Sequence, residues 1–331
     1  MRRVSVTIGI VFIIGLVIFI PGKKLARAHV NYKTAVEDHP LLCTNCHLYI
    51  VRDGLISKLV NEVYYSPMNI AVSGDGSRLY ITAQDGNALI VADAGSGEVR
   101  HKIHVGNKHH SVILDKADKT AYVSNQWSDN VSVIDLETNK VVDTLATGNG
   151  PAGLSLSSDE KHLYVVNSYS SDLTVIELTS GIERKRLTTG SNPTNIQLSP
   201  DGKELYVTAR RAIMVPYGDP VATELTVVSD EKKRVKSYRR VDAAYLMENV
   251  AFTPSGDMAF VTLIRPKNLV PTIQVESGWM MTHGIGIIEQ KGDGRIIQLL
   301  IDEPNAYYPD PYDIVITPDG KKAFISNSGV N

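Results

Sequence analysis

The chain has 331 residues, of which 43% are hydrophobic and 21% are charged, and its formal net charge is −2. These values are typical of a folded globular protein and exclude a disordered or collagen-like chain. The 34 basic and 36 acidic residues nearly balance, so the chain lacks the basic field that nucleic-acid binding needs. Its two cysteines, Cys43 and Cys46, are too close together to form the disulfide framework of a small secreted protein.

The first predicted element is an export segment. Residues 4–20 form an uncharged, mostly aliphatic run that follows Arg2 and Arg3 and is just long enough to span a bilayer. Ala26 and Ala28 make an A-x-A pattern that a signal peptidase could cleave. We therefore expect residues 1–28 to be a retained signal anchor, with a cleaved signal peptide as the alternative, and the remainder to be exported.

The two cysteines belong to a C-x-x-C-H motif, Cys43-Thr-Asn-Cys46-His47, within a predicted segment 29–58. This motif is typical of covalent c-type haem, because two thiols at this spacing can add to the two porphyrin vinyl groups while the histidine binds the iron as proximal ligand. A zinc site would need further ligands, and a thioredoxin-like site would need a βαβ context. Haem c is attached in bacteria outside the cytoplasmic membrane, so we expect the chain in the periplasm, either anchored or released.

A strand-like unit recurs through residues 59–331. Each copy carries an aromatic residue near the end of an alternating run, and successive copies are 42, 42, 42, 54 and 64 residues apart. Turns such as Ser199-Pro-Asp-Gly202 and further period-two runs, at 131–135 and 141–145, predict four short antiparallel strands in each unit. The recurring aromatic residues are Tyr80, Tyr122, Tyr164, Tyr206, Phe260 and Phe324.

This repeat resembles the β-propeller family named for its Tyr-Val-Thr-Asn motif. The motif appears here as Tyr122-Val-Ser-Asn125, Tyr164-Val-Val-Asn167, Tyr206-Val-Thr-Ala209 and Phe324-Ile-Ser-Asn327. The WD and GH signatures of WD40 repeats are missing. The resemblance implies an all-β propeller over residues 59–331, of seven blades as is usual in that family.

The number of blades raises a question about the length of the chain. Once the two long repeats are corrected for their extra residues, the chain holds about 5.6 units of 42 residues. Since a propeller that lacks part of a blade leaves sheet edges uncovered, we expect the chain to be the N-terminal part of a longer protein. The alternative is a six-bladed ring closed by residues 55–63.

Both long repeats carry most of their extra residues between the second and third strands. These loops open on the same face of a propeller as the loops that lead from one blade to the next, and long loops on a rigid scaffold often carry binding sites. We therefore expect a docking surface on this face, although Trp279 and its neighbouring methionines could simply pack the insertion down. The residues predicted to gather there are Met68, His109, His110, Arg210, Arg211, Trp279, Met280, Met281 and His283.

The sixth ligand of the haem iron is not specified by the motif. A methionine would raise the reduction potential, a histidine would lower it, and an open position would allow small-ligand chemistry. The candidates on the loop-bearing face are Met68, His109, His110 and His283, and His39 is a further candidate in the haem segment.

A haem motif followed by these repeats resembles bacterial periplasmic proteins in which a propeller precedes a dihaem domain similar to cytochrome c peroxidases. No second C-x-x-C-H motif is present, so the resemblance assigns any peroxidase-like chemistry to a part beyond residue 331, and no catalytic residue is predicted here. One hypothesis is an electron-transfer module that docks a periplasmic redox partner or its own missing domain. The other is a binding module in which the haem is structural or regulatory.

Overall fold

The computed structural model describes residues 42–44, 47–49, 66–266, 281–290, 296–302 and 308–328. The predicted export segment, Cys46 and residues 55–63 lie outside the described residues, as do the side chains of Cys43 and His47. The backbone on either side of Cys46 forms a short antiparallel hairpin of β1 (Leu42–Thr44) and β2 (His47–Tyr49). Within the described ranges, no helix has the length and apolarity needed to cross a membrane.

The other described strands form five four-stranded antiparallel sheets and one two-stranded sheet. The first sheet contains β3 (Pro67–Val72), β4 (Arg78–Ala83), β5 (Ala88–Asp93) and β6 (Val99–His104). The second contains β7 (His109–Leu114), β8 (Thr120–Asn125), β9 (Asn130–Asp135) and β10 (Lys140–Ala146). The third contains β11 (Pro151–Leu156), β12 (His162–Asn167), β13 (Asp172–Glu177) and β14 (Ile182–Thr188). The fourth contains β15 (Pro193–Leu198), β16 (Glu204–Ala209), β17 (Ala222–Ser229) and β18 (Arg234–Asp242). The fifth contains β19 (Val250–Phe252), β20 (Met258–Pro266), β21 (Met281–Glu289) and β22 (Ile296–Leu300), and the sixth contains β23 (Pro311–Ile316) and β24 (Ala323–Asn327).

The sheets are arranged radially, as the blades of a propeller. The first strand of each sheet contacts the first strand of the next sheet, which makes these strands innermost around a common axis. Each full sheet pairs its strands in sequence order, and the described residues contain no α-helix, only a short 3-10 helix at Gln84–Gly86. The sequence-based prediction of an all-β propeller is therefore confirmed, and the prediction of four strands in a repeat is confirmed for the first five sheets.

The hydrophobic core lies between neighbouring sheets rather than within one. Tyr80, Tyr164 and Tyr206, three of the recurring aromatic residues, are fully buried, and each packs against apolar residues of its own sheet and of the next. Burying a side chain of this size stabilises the fold by about 1.5–3 kcal/mol. The periodic aromatic residue therefore marks the contact between blades.

A β-bulge interrupts the first strand of most sheets near its beginning. The register shifts between Pro67 and Asn69 in the first sheet, and at the equivalent place in the second, third, fourth and sixth sheets. A bulge leaves backbone groups outside the ladder, and such groups need other partners when they are buried.

A hydroxyl group two residues after the recurring aromatic residue supplies these partners. In the fourth sheet Thr208 Oγ1 accepts the backbone N–H of Asn195 at 3.2 Å and donates to the carbonyl oxygen of Glu248, in the next sheet, at 3.0 Å. The same pair of hydrogen bonds is made by Thr82, Ser124 and Thr262, towards the carbonyl groups of His110, Ala152 and Tyr312. One hydroxyl group thus gives the unpaired backbone N–H of its own sheet a hydrogen-bond partner and also links that sheet to the following one.

The third sheet contacts the fourth sheet without a hydroxyl group at this position. It has Val166 at the hydroxyl position, and its bulge contains Gly153, where an added Cβ would lie 2.6 Å from the Cα atom of Asn195 in the fourth sheet. Near the axis Ser168 links these two sheets, since its Oγ donates to the carbonyl oxygen of Pro193 at 2.6 Å. A side chain at position 153 would push the two sheets apart.

The two predicted insertions are found where the sequence places them. Twelve residues, 210–221, separate β16 from β17, and 14 residues, 267–280, separate β20 from β21. In the fifth sheet part of the extra length extends the hairpin instead of the loop, because β20 and β21 pair as far as Pro266 and Met281. Residues 267–280, with Trp279 and Met280, lie outside the described residues.

The exposure of the first sheet is relevant to the predicted number of blades. Ile70 and Val72 of β3 are 47% and 53% exposed, whereas Val112 and Ile196, the equivalents of Ile70, are buried. Nothing in the described part of the chain covers this side of the first sheet. The choice between a longer protein and a six-bladed ring stays a prediction.

The hydroxyl link can be tested at Thr208. We expect Thr208→Val to lower the free energy of unfolding by about 1–3 kcal/mol, because the isosteric change leaves the N–H of Asn195 without its partner and removes one of the two hydroxyl donors to the carbonyl of Glu248, the other being Thr194. Thr208→Ser is the matched control, since it keeps the hydroxyl, and it should retain most of the stability. Urea unfolding measures both, and equal losses in the two variants would contradict the link.

Candidate functional site

Two sets of loops meet on one face of the propeller. Each loop after a second strand lies beside the loop that leads into the first strand of the same sheet, as shown by the hydrogen bonds from Ser168 N to Gly150 O and from Arg210 N to Asn192 O. The insertion at 210–221 begins at this contact, so this enlarged loop lies on the same face as the connections between blades. The other insertion, 267–280, lies outside the described residues. We call this surface the loop face.

One residue of each sheet lies at the mouth of the propeller axis on the loop face, at the bulge in five sheets and at the equivalent position in the fifth. This position carries a different side chain in every sheet: Met68, His110, Ala152, Thr194, Glu248 and Tyr312. Tyr312 in the sixth sheet reaches His110 in the second sheet, with 3.4 Å between Tyr312 Oη and His110 Nε2. This contact joins residues 202 positions apart and shows that the axis is narrow at its mouth.

His110 is an uncharged histidine at neutral pH. Its enclosure in the axis, and secondly the nearby charge of Arg210, lower its pKa to about 4. Its Nδ1 atom lies 3.1 Å from Ser111 Oγ, and Nε2 faces Tyr312. Burial raises the pKa of Tyr312 to about 12, and the Glu248 carboxylate adds to the effect, so the phenol keeps its proton.

Arg210 and Glu248 form an ion pair beside these two residues. Arg210 Nε donates to both carboxylate oxygens of Glu248, at 2.7 and 3.0 Å, and the two side chains are 33% and 16% exposed. Arg210 follows β16 and Glu248 precedes β19, so the pair spans the contact between the fourth and fifth sheets. Because both carboxylate oxygens are bound, the pair is a fixed and neutral unit.

A cavity of about 310 Å³ opens next to this pair, and we call it the axial pocket. Its apolar wall consists of Leu246, Ile264 and Pro311, and its polar wall consists of Arg210, Glu248, Tyr312 and Ser328. Asp310 is exposed at its rim. The arrangement can bind a small polar ligand.

A second, shallower cleft lies on the loop face between the second and third sheets. Trp127 and Tyr169 occupy equivalent loop positions and are 65% and 59% exposed. The ammonium group of Lys108 lies 4.6 Å from the centre of the Trp127 ring, and the Tyr169 ring rests on Gly150, which has no room for a Cβ atom. Two exposed aromatic side chains therefore form part of the wall of this cleft.

The four candidates for the sixth haem ligand occupy different environments. His109 is fully buried in β7, while Met68 and His110 are partly buried at the axis. His283 lies in β21, where Nδ1 is 3.1 Å from Asp302 Oδ2 and both side chains are 10% exposed. The identity of the sixth ligand stays a prediction, because the side chains of the haem motif lie outside the described part of the chain. In the described ranges, no three His, Cys, Asp or Glu side chains cluster as a metal site would need.

The structure brings together some of the residues that the sequence predicted for this face and adds others. His110 and Arg210 do lie close together, and Arg211 is exposed next to them. Glu248 and Tyr312 were not among the predicted residues. Glu248 and Tyr312 occupy the position of the fifth and sixth repeats that is equivalent to Met68 and His110. Extending the sequence comparison of that position to these two repeats would have found both residues.

These features define a β-propeller protein with a polar pocket at the axis. Residues 115–193 match the family model described as YNCE-like beta-propeller. The propeller scaffold is related to a hydrazine synthase subunit: a 98-residue segment is 33% identical to hydrazine synthase subunit beta of Kuenenia stuttgartiensis, and it makes up 30% of this chain and 25% of that protein. The match thus spans only a quarter of the relative's length.

Similarity to solved structures extends over most of the chain. A chain of the Kuenenia stuttgartiensis hydrazine synthase structure superposes with a TM-score of 0.73 and 28% identity, over 80% of this chain and 74% of that one. A protein of unknown function from Desulfotomaculum acetoxidans superposes with a TM-score of 0.58 and 14% identity, over 80% of each chain, and this likeness shows the fold alone.

The electrostatics of the axial pocket predict how His110 titrates. We expect its imidazole to remain neutral down to about pH 4, and Arg210→Gln to raise this pKa, because the change removes a positive charge and leaves the Glu248 carboxylate unneutralised. Long-range ¹H–¹⁵N NMR of the histidine ring measures it, with Arg211→Gln as the control. An ordinary pKa of about 6.5 in the unmodified protein, or equal shifts in the two variants, would contradict the arrangement.

Proposed function

We propose that this chain is a haem-bearing scaffold subunit of a periplasmic redox complex, in which the loop face docks a partner and the haem carries electrons. The observation that carries the proposal is the C-x-x-C-H motif at 43–47, joined to a propeller related to a subunit of hydrazine synthase. That relative is named as one subunit of an enzyme. We propose a subunit role for this chain by analogy, and we do not propose the activity of that enzyme. No catalytic residue is proposed in this chain.

The residues of the motif fit covalent haem by their chemistry. Cys43 and Cys46 would each form a thioether with a vinyl group, and His47 would bind the iron. Haem held in this way supplies reversible one-electron transfer. The export segment at 1–28 is consistent with this assignment, since it would carry the motif to the periplasm, where the chain would stay anchored or be released.

The loop face has the composition of a docking surface. It presents Trp127 and Tyr169 as exposed aromatic residues, Lys108 as a cation beside Trp127, and Arg211 as a further exposed cation. Tryptophan, tyrosine and arginine are enriched among the residues that dominate binding energy at protein interfaces. The cations favour a partner that is acidic where it touches this face, either a periplasmic redox protein or a further domain of the same protein.

The axial pocket favours a second candidate function. A propeller that binds a small ligand at its axis would need no electron transfer, and its haem would be structural or regulatory. Ligand or partner binding that is independent of the oxidation state of the iron would favour this alternative.

Covalent haem predicts a specific pigment. Protein produced with a haem-c maturation system should keep its colour after acid-acetone extraction and give the pyridine haemochrome spectrum of a c-type haem. Replacing Cys43 and Cys46 by Ala should abolish it, while the double change Val99→Ala and Val142→Ala, at two exposed positions, serves as a control that leaves the motif intact. Colour that extracts into the solvent would rule out thioether attachment.

Docking through the loop face predicts a charge effect on electron transfer. Arg211→Glu should slow reduction of the haem by an acidic periplasmic donor, and added salt should slow the unmodified protein, because steering by surface charge is screened. Arg211 is preferred to Arg210, whose reversal would break the ion pair with Glu248.

The matched control is Lys119→Glu, an exposed lysine in the turn between β7 and β8 at the opposite end of the sheets. Stopped-flow absorbance measures the rate. Equal rates for the two variants, together with no dependence on salt, would exclude this surface. A haem that cannot be cycled between its oxidation states would exclude the redox function.

A further inference from the structure

We propose that the axial pocket binds a carboxylate group, with the outer edge of the Arg210 guanidinium and the hydroxyl of Tyr312 as the donors. This inference goes beyond the proposed redox function, since neither donor requires the haem. The pocket has a volume of about 310 Å³, which lies at the lower end of the range of about 300–1,000 Å³ for small-ligand sites.

The orientation of Arg210 is the first argument. Only Nε is used in the pair with Glu248, and the two Nη groups make no hydrogen bond to any described residue, although two thirds of the side chain is buried. A guanidinium group presents two edges with paired N–H donors, and the edge formed by the two Nη atoms suits both oxygens of a carboxylate. Glu248 therefore fixes the plane of the guanidinium and leaves this second edge for a ligand.

Tyr312 supplies the second donor. Tyr312 lines the pocket, its hydroxyl lies 3.4 Å from His110 Nε2, and the phenol stays protonated because its pKa is raised to about 12. A contact of 3.4 Å is long for a hydrogen bond, so the hydroxyl can turn to a closer acceptor. The neutral His110 adds no charge, which leaves Arg210 as the cation that faces the pocket.

The charges around the pocket argue for an anion rather than a cation. Both oxygens of Glu248 accept from Arg210, so this carboxylate offers little to a positively charged ligand. Asp310 is exposed at the rim, where water and salt screen its charge. The apolar wall of Leu246, Ile264 and Pro311 suits the aliphatic part of a small organic acid or of a peptide.

The carboxylate could belong to a free small acid or to a partner protein, and the same site would bind both. Titration of the full-length protein with ¹³C-labelled acetate, and with a short peptide that has either a free or an amidated C-terminus, distinguishes these sources. Saturable binding of acetate shows that a free acid fits. Binding of only the free-carboxylate peptide shows that the carboxylate comes from a partner, and either result supports the proposal.

Three variants test the donors. Arg210→Lys keeps the positive charge but removes the paired N–H donors of the guanidinium group, so it should weaken binding about tenfold or more. Tyr312→Phe should weaken binding about threefold to tenfold, because it removes one hydrogen bond. Arg211→Lys, next to Arg210 but outside the pocket wall, is the matched control and should bind as the unmodified protein does. Urea unfolding checks that each variant is folded.

A spectroscopic measurement keeps the test decisive if a variant does not fold. In the unmodified protein, the ¹⁵N resonances of the Arg210 Nη groups should shift during the titration, and those of Arg211 should not. The proposal is overturned if neither probe binds saturably, if Arg210→Lys and Arg211→Lys weaken binding equally, or if tetramethylammonium binds in place of the carboxylate probes.

Discussion

The hydroxyl group that links each blade to the next is the interaction on which the rest of this propeller depends. A bulge in the innermost strand leaves a backbone N–H outside the ladder, and an uncompensated group of this kind, once buried, costs about 1–3 kcal/mol. The hydroxyl accepts this N–H and donates to a carbonyl of the following sheet, so the irregular backbone and the contact between blades are stabilised together. Where valine replaces the hydroxyl residue in the third sheet, glycine and Ser168 restore the contact.

This link also explains why the candidate site residues lie at the axis. The carbonyl group that accepts the hydroxyl belongs to the residue whose side chain lies at the mouth of the axis, as in His110, Glu248 and Tyr312. The backbone of that residue is therefore fixed by the repeat, while its side chain is free to differ between blades. A structurally uniform ring thus presents unlike side chains to one small volume.

The loop face combines this rigid centre with a variable periphery. The axial pocket is built from backbone positions that the repeat holds, whereas Arg211 and the two insertions extend from the ends of strands. A scaffold of this kind offers a fixed pocket at its axis and a variable surface around it. The haem motif lies in the segment that precedes the propeller.

The sequence by itself determined the parts of this protein that depend on local order. The period-two runs, the recurring aromatic residues and the turns predicted four-stranded blades, because alternation along a strand follows from the pleat and not from distant contacts. The place of both insertions and the presence of His110 and Arg210 on one face followed from counting along the same repeat. The haem motif is also a matter of local spacing, and it stays a prediction.

Only the tertiary structure decided which side chains meet. The pairing of Arg210 with Glu248 joins residues 38 positions apart, and the contact of Tyr312 with His110 joins residues 202 positions apart. Such contacts depend on how many blades stand between two residues and on how narrow the axis is, and the spacing of a repeat specifies neither. For the same reason the sequence showed that the loop face carries cations, while the fold decided that Arg210 is held in a pocket and Arg211 is left at the surface.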